Sequence, residues 1–112
     1  MRIEREDRGP VTVLSVEGEL DTLNAPSLKQ YADQLVADGR TRFVFDMSKV
    51  SLIDSSGVGA VVSLFKKART ASGDVKIARL SGQPREIFKL LRLDAAFDLA
   101  DEVDQAVQRF EP

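Results

Sequence analysis

The run Asp54-Ser55-Ser56-Gly57-Val58-Gly59 gathers a carboxylate, two hydroxyls and two glycines where an apolar stretch gives way to a helical period. Three chemistries are open to it. The plainest is helix capping, since a serine or aspartate at such a junction accepts a hydrogen bond from a free N–H of the first turn. Asp54 and Ser55 could each cap, so a second serine and the small residues Gly57, Gly59 and Ala60 exceed what ending a loop requires. Glycines at a helix start expose backbone N–H groups and clear space, a geometry that admits a phosphate or another protein's backbone.

The second chemistry is therefore modification. A phosphate on a helix-start serine meets the positive end of the helix dipole, so an added charge of about −1.5 to −2 is compatible with a folded protein. Asp54, Asp46 and Asp21 are expected near that charge, and their repulsion would alter the exposed surface without melting the helix. The change would then be read by a partner.

The third chemistry, a nucleophilic Ser56, needs an activating base. The chain has no histidine and no Gly-x-Ser-x-Gly elbow, and Lys66 and Lys67 lie about three turns further along the helix. Hydrolysis is therefore not expected, and the chain reads as a non-enzyme. Absent histidine and cysteine also remove the commonest metal ligands, thiolate zinc sites, disulfides and thiol redox chemistry, so neither metal nor cofactor is expected. With no Gly-x-x-x-x-Gly-Lys-Ser/Thr loop and no dinucleotide fingerprint, nucleotide binding would have only a generic anion site at the Ser56 helix start.

The elements that must position this run follow from periodicity. Ile3 to Arg8 and Val11 to Glu17 read as a hairpin turning at Gly9-Pro10. An acidic turn, Glu17-Gly18-Glu19-Leu20-Asp21, leads to a helix from Asn24 or Ala25 to Ala37, with Asn24 as N-cap, Pro26 in the first turn and Gly39 as its stop. Arg42 to Met47 is a nearly continuous apolar run, the pattern of a strand covered on both faces. Val58, Val61, Val62, Phe65 and Ala68 recur at helical spacing from about Ser56 to Thr70, and Gly73 is the expected stop. Lys66, Lys67 and Arg69 near that helix's end complement its dipole and read as a solvated face.

A strand over Asp74 to Leu80 follows, then a helix over Pro84 to Leu91 with Ile87, Leu90 and Leu91 on one side. A short strand near Ala96 to Leu99 and a last helix opened by Asp101-Glu102, with Val103, Ala106, Val107 and Phe110 inward, complete the chain. The aromatic residues are scattered at core-type positions and make no stacking platform for bases. Strands alternating with helices after an opening hairpin predict one α/β domain over residues 1–112, a mixed, mostly parallel sheet with helices mainly on one face.

At 112 residues, 43% apolar and 30% charged, the chain can bury one core and has an ordinary globular balance. Its net charge of −2 gives no long-range attraction for phosphate backbones, so no nucleic-acid partner is expected. No apolar run approaches the roughly 18 residues of a membrane span, and Met1 to Arg8 is too charged for a signal peptide. A cytoplasmic protein with no membrane partner, monomeric or weakly dimeric, is expected.

Taken together, Gly18-Glu19-Leu20-Asp21, Phe43-Val44-Phe45-Asp46 and Asp54-Ser55-Ser56-Gly57-Val58-Gly59, in this order, resemble the STAS domain family and within it the bacterial anti-sigma factor antagonists. The resemblance spans nearly the whole chain, with one departure: Arg92 stands before Leu93-Asp94 where relatives often have glycine. It implies that Ser56 is the phosphate acceptor and that Asp21 lies beside the loop. It also implies partner switching. The unmodified protein would bind an anti-sigma factor that is also a serine kinase, freeing a sigma factor; phosphorylation of Ser56 would reverse this and a PP2C-type phosphatase restore it. Asp21 and Asp54 would shape the loop, Gly57, Val58, Gly59 and Ala60 would form the partner's landing surface, and Asp21, Asp54, Ser55 and Ser56 would bind the partner with them. The same fold could instead serve, unphosphorylated, as a subunit of a larger assembly such as a lipid-transport complex.

Overall fold

The computed structural model describes residues 1–111. Strands β1 (Arg2–Arg8) and β2 (Val11–Leu20) form the expected antiparallel hairpin, and β3 (Arg42–Ile53), β4 (Asp74–Ala78) and β5 (Asp98–Ala100) add to it in parallel, in the order β1-β2-β3-β4-β5. Each parallel strand lies beside its predecessor, so right-handed crossovers send the connecting helices to one face. These are α1 (Ala25–Ala37), α2 (Ser55–Thr70), α3 (Gly82–Leu90) and the single turn α4 (Leu93–Ala96). The last helix, α5 (Val103–Gln108), follows β5 onto the opposite face, where Val103, Val107 and Phe110 cover Val11, Val13, Val44 and Ala78.

Strand alternation divides β3 between two cores: Phe43, Phe45 and Met47 meet Leu28, Leu35, Val61 and Leu64 of α1 and α2, while Val44 meets the α5 side. That double coverage is why the run reads as continuously apolar. The strand does not stop at Met47, where the apolar run ends, but continues to Ile53 beside the end of β2, past irregularities in register between Ser15/Glu17 and Gly18/Glu19. Its polar extension lies beyond the cover of α5, so pairing persists where two-sided burial does not.

Helix ends show what the sequence reading got wrong. Gly39 (φ 93°) stops α1 as expected, with Gly39 and Arg40 donating to the carbonyls of Val36 and Leu35 at 2.9 Å each. For α2 the left-handed residue is Ser72 (φ 65°), not Gly73. Gly73 answers a different demand, because a Cβ there would lie 1.8 Å from the Thr41 carbonyl oxygen. Asn24 stands at the N-cap of α1 but does not cap it; its Nδ2 donates to the Glu19 carbonyl at 2.9 Å. Leu90 and Leu91 are exposed, and α3 buries Pro84 and Phe88. The short strand expected near Ala96 to Leu99 is present as β5, shifted to Asp98–Ala100, with Ala96 ending the α4 turn.

Candidate switch site

Because β2 and β3 are parallel neighbours, they end together. Leu20 pairs with Ile53, and Asp54 N–H donates to the Leu20 carbonyl at 3.3 Å. Each strand hands over to a helix, so the β2–α1 corner and the first turn of α2 meet although more than thirty residues separate them in sequence.

Asp54 is the N-cap of α2, in extended backbone (φ −111°, ψ −172°). Its Oδ1 accepts from Gly57 N–H at 3.0 Å, while Oδ2 accepts from Thr22 N–H at 2.9 Å and from the Thr22 hydroxyl at 3.1 Å. These donors favour the ionised form, the Gly57 N–H most strongly, and hold the Asp54 carboxyl below the usual carboxylate range against a smaller opposing desolvation. Thr22 Oγ1 also lies 3.1 Å from Ser56 Oγ. One threonine thus joins the cap to the serine.

Asp21 stands between Leu20 and Thr22, two residues that bond Asp54, but makes its own hydrogen bonds within its turn. Its Oδ1 accepts from the N–H groups of Leu23 (3.1 Å) and Asn24 (3.0 Å), and its carbonyl accepts from Asn24 and Ala25. It builds the corner that presents Thr22 through bonds to the residues just before α1. On the far side, the Gln83 amide of α3 grips the peptide groups of Ile53: Oε1 accepts from Ile53 N–H at 2.8 Å and Nε2 donates to its carbonyl at 2.9 Å. The residue immediately before Asp54 is thereby fixed by two bonds. Neither Thr22 nor Gln83 carried a signal of its own in the sequence, since each acts on a residue about thirty positions away.

Ser55 is exposed at the first helical position and Ser56 is half-buried at the second. Of the small residues expected to face a partner, Gly59 is exposed and Val58 half-buried, but Gly57 and Ala60 are buried. A Cβ on Gly57 would stand 2.1 Å from the Leu20 carbonyl oxygen and 2.8 Å from Ile53 Cγ1, so the close approach it permits is to its own chain. Asp46 is not at the site either. One residue after Phe45 it points to the opposite sheet face, 3.8 Å from Arg79, and accepts from Ser48 N–H at 3.0 Å.

A hydroxyl in a rigid first helical turn, wired to an ionised cap and partly open to solvent, is built for modification or recognition. The fold and this corner define a class, and residues 2–106 match the model of the STAS domain, so the chain belongs to that family. Its relatives sharpen the class. The anti-sigma-F factor antagonist RsfB of Mycobacterium tuberculosis is 32% identical over 101 residues, 90% of this chain and 82% of that protein. The crystal structure of an anti-sigma factor antagonist from Mycobacterium paratuberculosis superposes with a TM-score of 0.89 at 29% identity, covering 99% of this chain and 94% of the other. The fold also recurs in the Bacillus cell fate determinant SpoIIAA, solved in its phosphorylated form, with a TM-score of 0.78 at 21% identity over 96% of this chain and 98% of that one.

Proposed function

We propose that this protein is an anti-sigma factor antagonist that binds an anti-sigma factor with serine-kinase activity and is released when that kinase phosphorylates Ser56; a PP2C-type phosphatase would reverse the mark. The observation that carries this reading is the setting of the Ser56 hydroxyl. It sits half-buried in the first turn of α2, on a corner whose rim is formed by exposed Ser55 and Gly59 and by Leu23, a leucine 84% exposed. An exposed leucine beside an ordered polar group is what a partner surface requires, an apolar anchor next to a specificity contact.

Among the described residues no Lys or Arg makes an ion pair with Asp21 or Asp54. A phosphate added there brings charge into an anionic corner, and closing a partner over it would cost roughly 3–5 kcal/mol for a charge left unpaired. Binding and phosphorylation then exclude one another. In a pull-down with the serine-kinase anti-sigma factor from the same cells, Ser56→Ala is expected to be retained and Ser56→Asp to be lost, with both variants folded by circular dichroism. Equal retention would remove the switch, and intact mass of the protein from its own cells should show one phosphate under some growth condition.

A further inference from the structure

We infer that Thr22 is a positioning residue for the phosphorylation of Ser56, holding the serine hydroxyl in a fixed orientation through a directed chain that ends on Asp54. The inference rests on the reading of Ser56 as phosphate acceptor. The direction of the chain follows from counting protons. An ionised carboxylate only accepts, so the single proton of the Thr22 hydroxyl goes to Asp54 Oδ2 across 3.1 Å. Thr22 Oγ1 then has only lone pairs to offer Ser56, and across their 3.1 Å separation the serine must be the donor. Asp54 is itself immobilised by the Gly57 and Thr22 N–H groups, so the chain has a rigid end.

The orientation has a chemical consequence. With its proton directed at Thr22, Ser56 Oγ presents its lone pairs away from the β2–α1 corner, toward the open side where a phosphoryl donor must approach. In transfer from a nucleoside triphosphate, the Ser56 Oγ–P bond forms as the bond from the γ-phosphorus to the β,γ-bridging oxygen breaks and the nucleoside diphosphate leaves. The serine oxygen becomes strongly acidic only as its bond to phosphorus forms, so the proton departs late. It leaves to water or to a base on the kinase, while Thr22 and Asp54 hold the serine oxygen in place. Such transfers are governed by positioning, and a loosened nucleophile loses rate rather than affinity.

The test is a time course of Ser56 phosphorylation in an ATP-supplied extract of the protein's own cells, read by intact mass at several concentrations of wild type, Thr22→Ser and Thr22→Val. Thr22→Val is nearly isosteric and lacks the hydroxyl; its apparent kcat is expected to fall roughly 10- to 100-fold with KM changed less than about twofold. Thr22→Ser, which restores the hydroxyl, is expected to recover most of the rate. Unchanged kcat in Thr22→Val, or equal losses in both variants, would overturn the inference, the latter because Thr22→Ser keeps the hydroxyl and should then keep the rate. A wild type never phosphorylated at Ser56 would instead overturn the functional reading beneath it. Unfolding midpoints of the three proteins, expected to be similar because Thr22 is exposed, separate rate from folding.

Discussion

Adding one methyl group at Gly57 and one at Gly59 should move stability in opposite directions, although the two glycines are neighbours in the same helix. At Gly57 the new Cβ would sit 2.1 Å from the Leu20 carbonyl oxygen, 3.0 Å from its carbon and 2.8 Å from Ile53 Cγ1. An ordinary contact needs more than an ångström of further separation, and the obstacle is strand backbone, which cannot rotate aside. Overpacking of this kind costs about 1–3 kcal/mol. The same carbonyl accepts the Asp54 N–H that ties α2 to β2, so moving it forfeits a further ~1 kcal/mol of hydrogen bonding. The sum, about 3 kcal/mol, divides by an unfolding entropy near 0.24 kcal/mol per kelvin for a chain this size to give a midpoint lowered by roughly 12 °C. At Gly59 nothing lies within 4 Å, the residue is exposed inside the helix, and alanine there should gain about 0.5–1 kcal/mol, or roughly 2–4 °C. Thermal unfolding followed by far-ultraviolet circular dichroism reads both. A Gly57→Ala midpoint at or above wild type would refute the account of that glycine as an intramolecular spacer and return it to the partner surface.

Asp54→Asn should lower the unfolding midpoint at neutral pH, because an amide cannot accept from Gly57 and Thr22 at once without turning its own N–H toward a donor. The folded state holds the Asp54 carboxyl below its ordinary value, so the stabilisation is full above the usual carboxylate value of about 4 and is lost as pH falls through the lower, folded value. The gap between wild type and variant should therefore narrow on acidification, and a gap constant across the acid range would contradict the assignment. Arg92 occupies the left-handed region (φ 57°) where α3 passes into α4, so Arg92→Gly should raise stability by about 0.5–1 kcal/mol, measured by urea denaturation; no gain would mean that the arginine side chain compensates its own strain.

The scaffold was legible because its signals are local. The hairpin turn at Gly9-Pro10, the apolar run of β3 and the helical periods of α1 and α2 each lie within a window where side-chain burial alone sets the pattern. β3 was read too short for the same reason: its last residues are held by pairing with β2, which leaves no apolar trace on the exposed side. Arg92 shows the converse. It stands where relatives often have glycine, yet the chain keeps the left-handed conformation there and absorbs its cost.

The candidate site divides along the same line. Asp54, Ser55 and Ser56 could be found because carboxylate and hydroxyls crowd one junction, but their wiring depends on which distant residue the fold brings beside them. Thr22 sits just after an acidic turn that reads as an ordinary helix start, and Gln83 in a helix with no visible tie to the loop. The reading of Gly57 failed differently: its smallness was recognised, and the surface it serves was not, since a glycine looks the same whether a partner or its own strand lies against it.

That wiring also changes what a phosphate on Ser56 would meet. From the sequence, the positive end of α2 is expected to meet the new charge, with Asp54 near it. In the structure the Asp54 carboxylate already takes the Gly57 N–H and lies within one bridging hydroxyl of Ser56. The dipole's stabilisation, about 0.3–1 kcal/mol at an exposed helix start, is therefore shared with an anion already in place. On the proposed reading, a phosphoryl group would displace the Ser56 hydroxyl proton from Thr22 and find a carboxylate beyond it, which would turn its charge outward, toward the exposed residues of the corner. The helix would keep its Asp54 cap, and the fold is expected to persist. What changes is the face offered to a partner, which is the economy a reversible switch needs: the modified and unmodified forms differ where they are read and agree everywhere else.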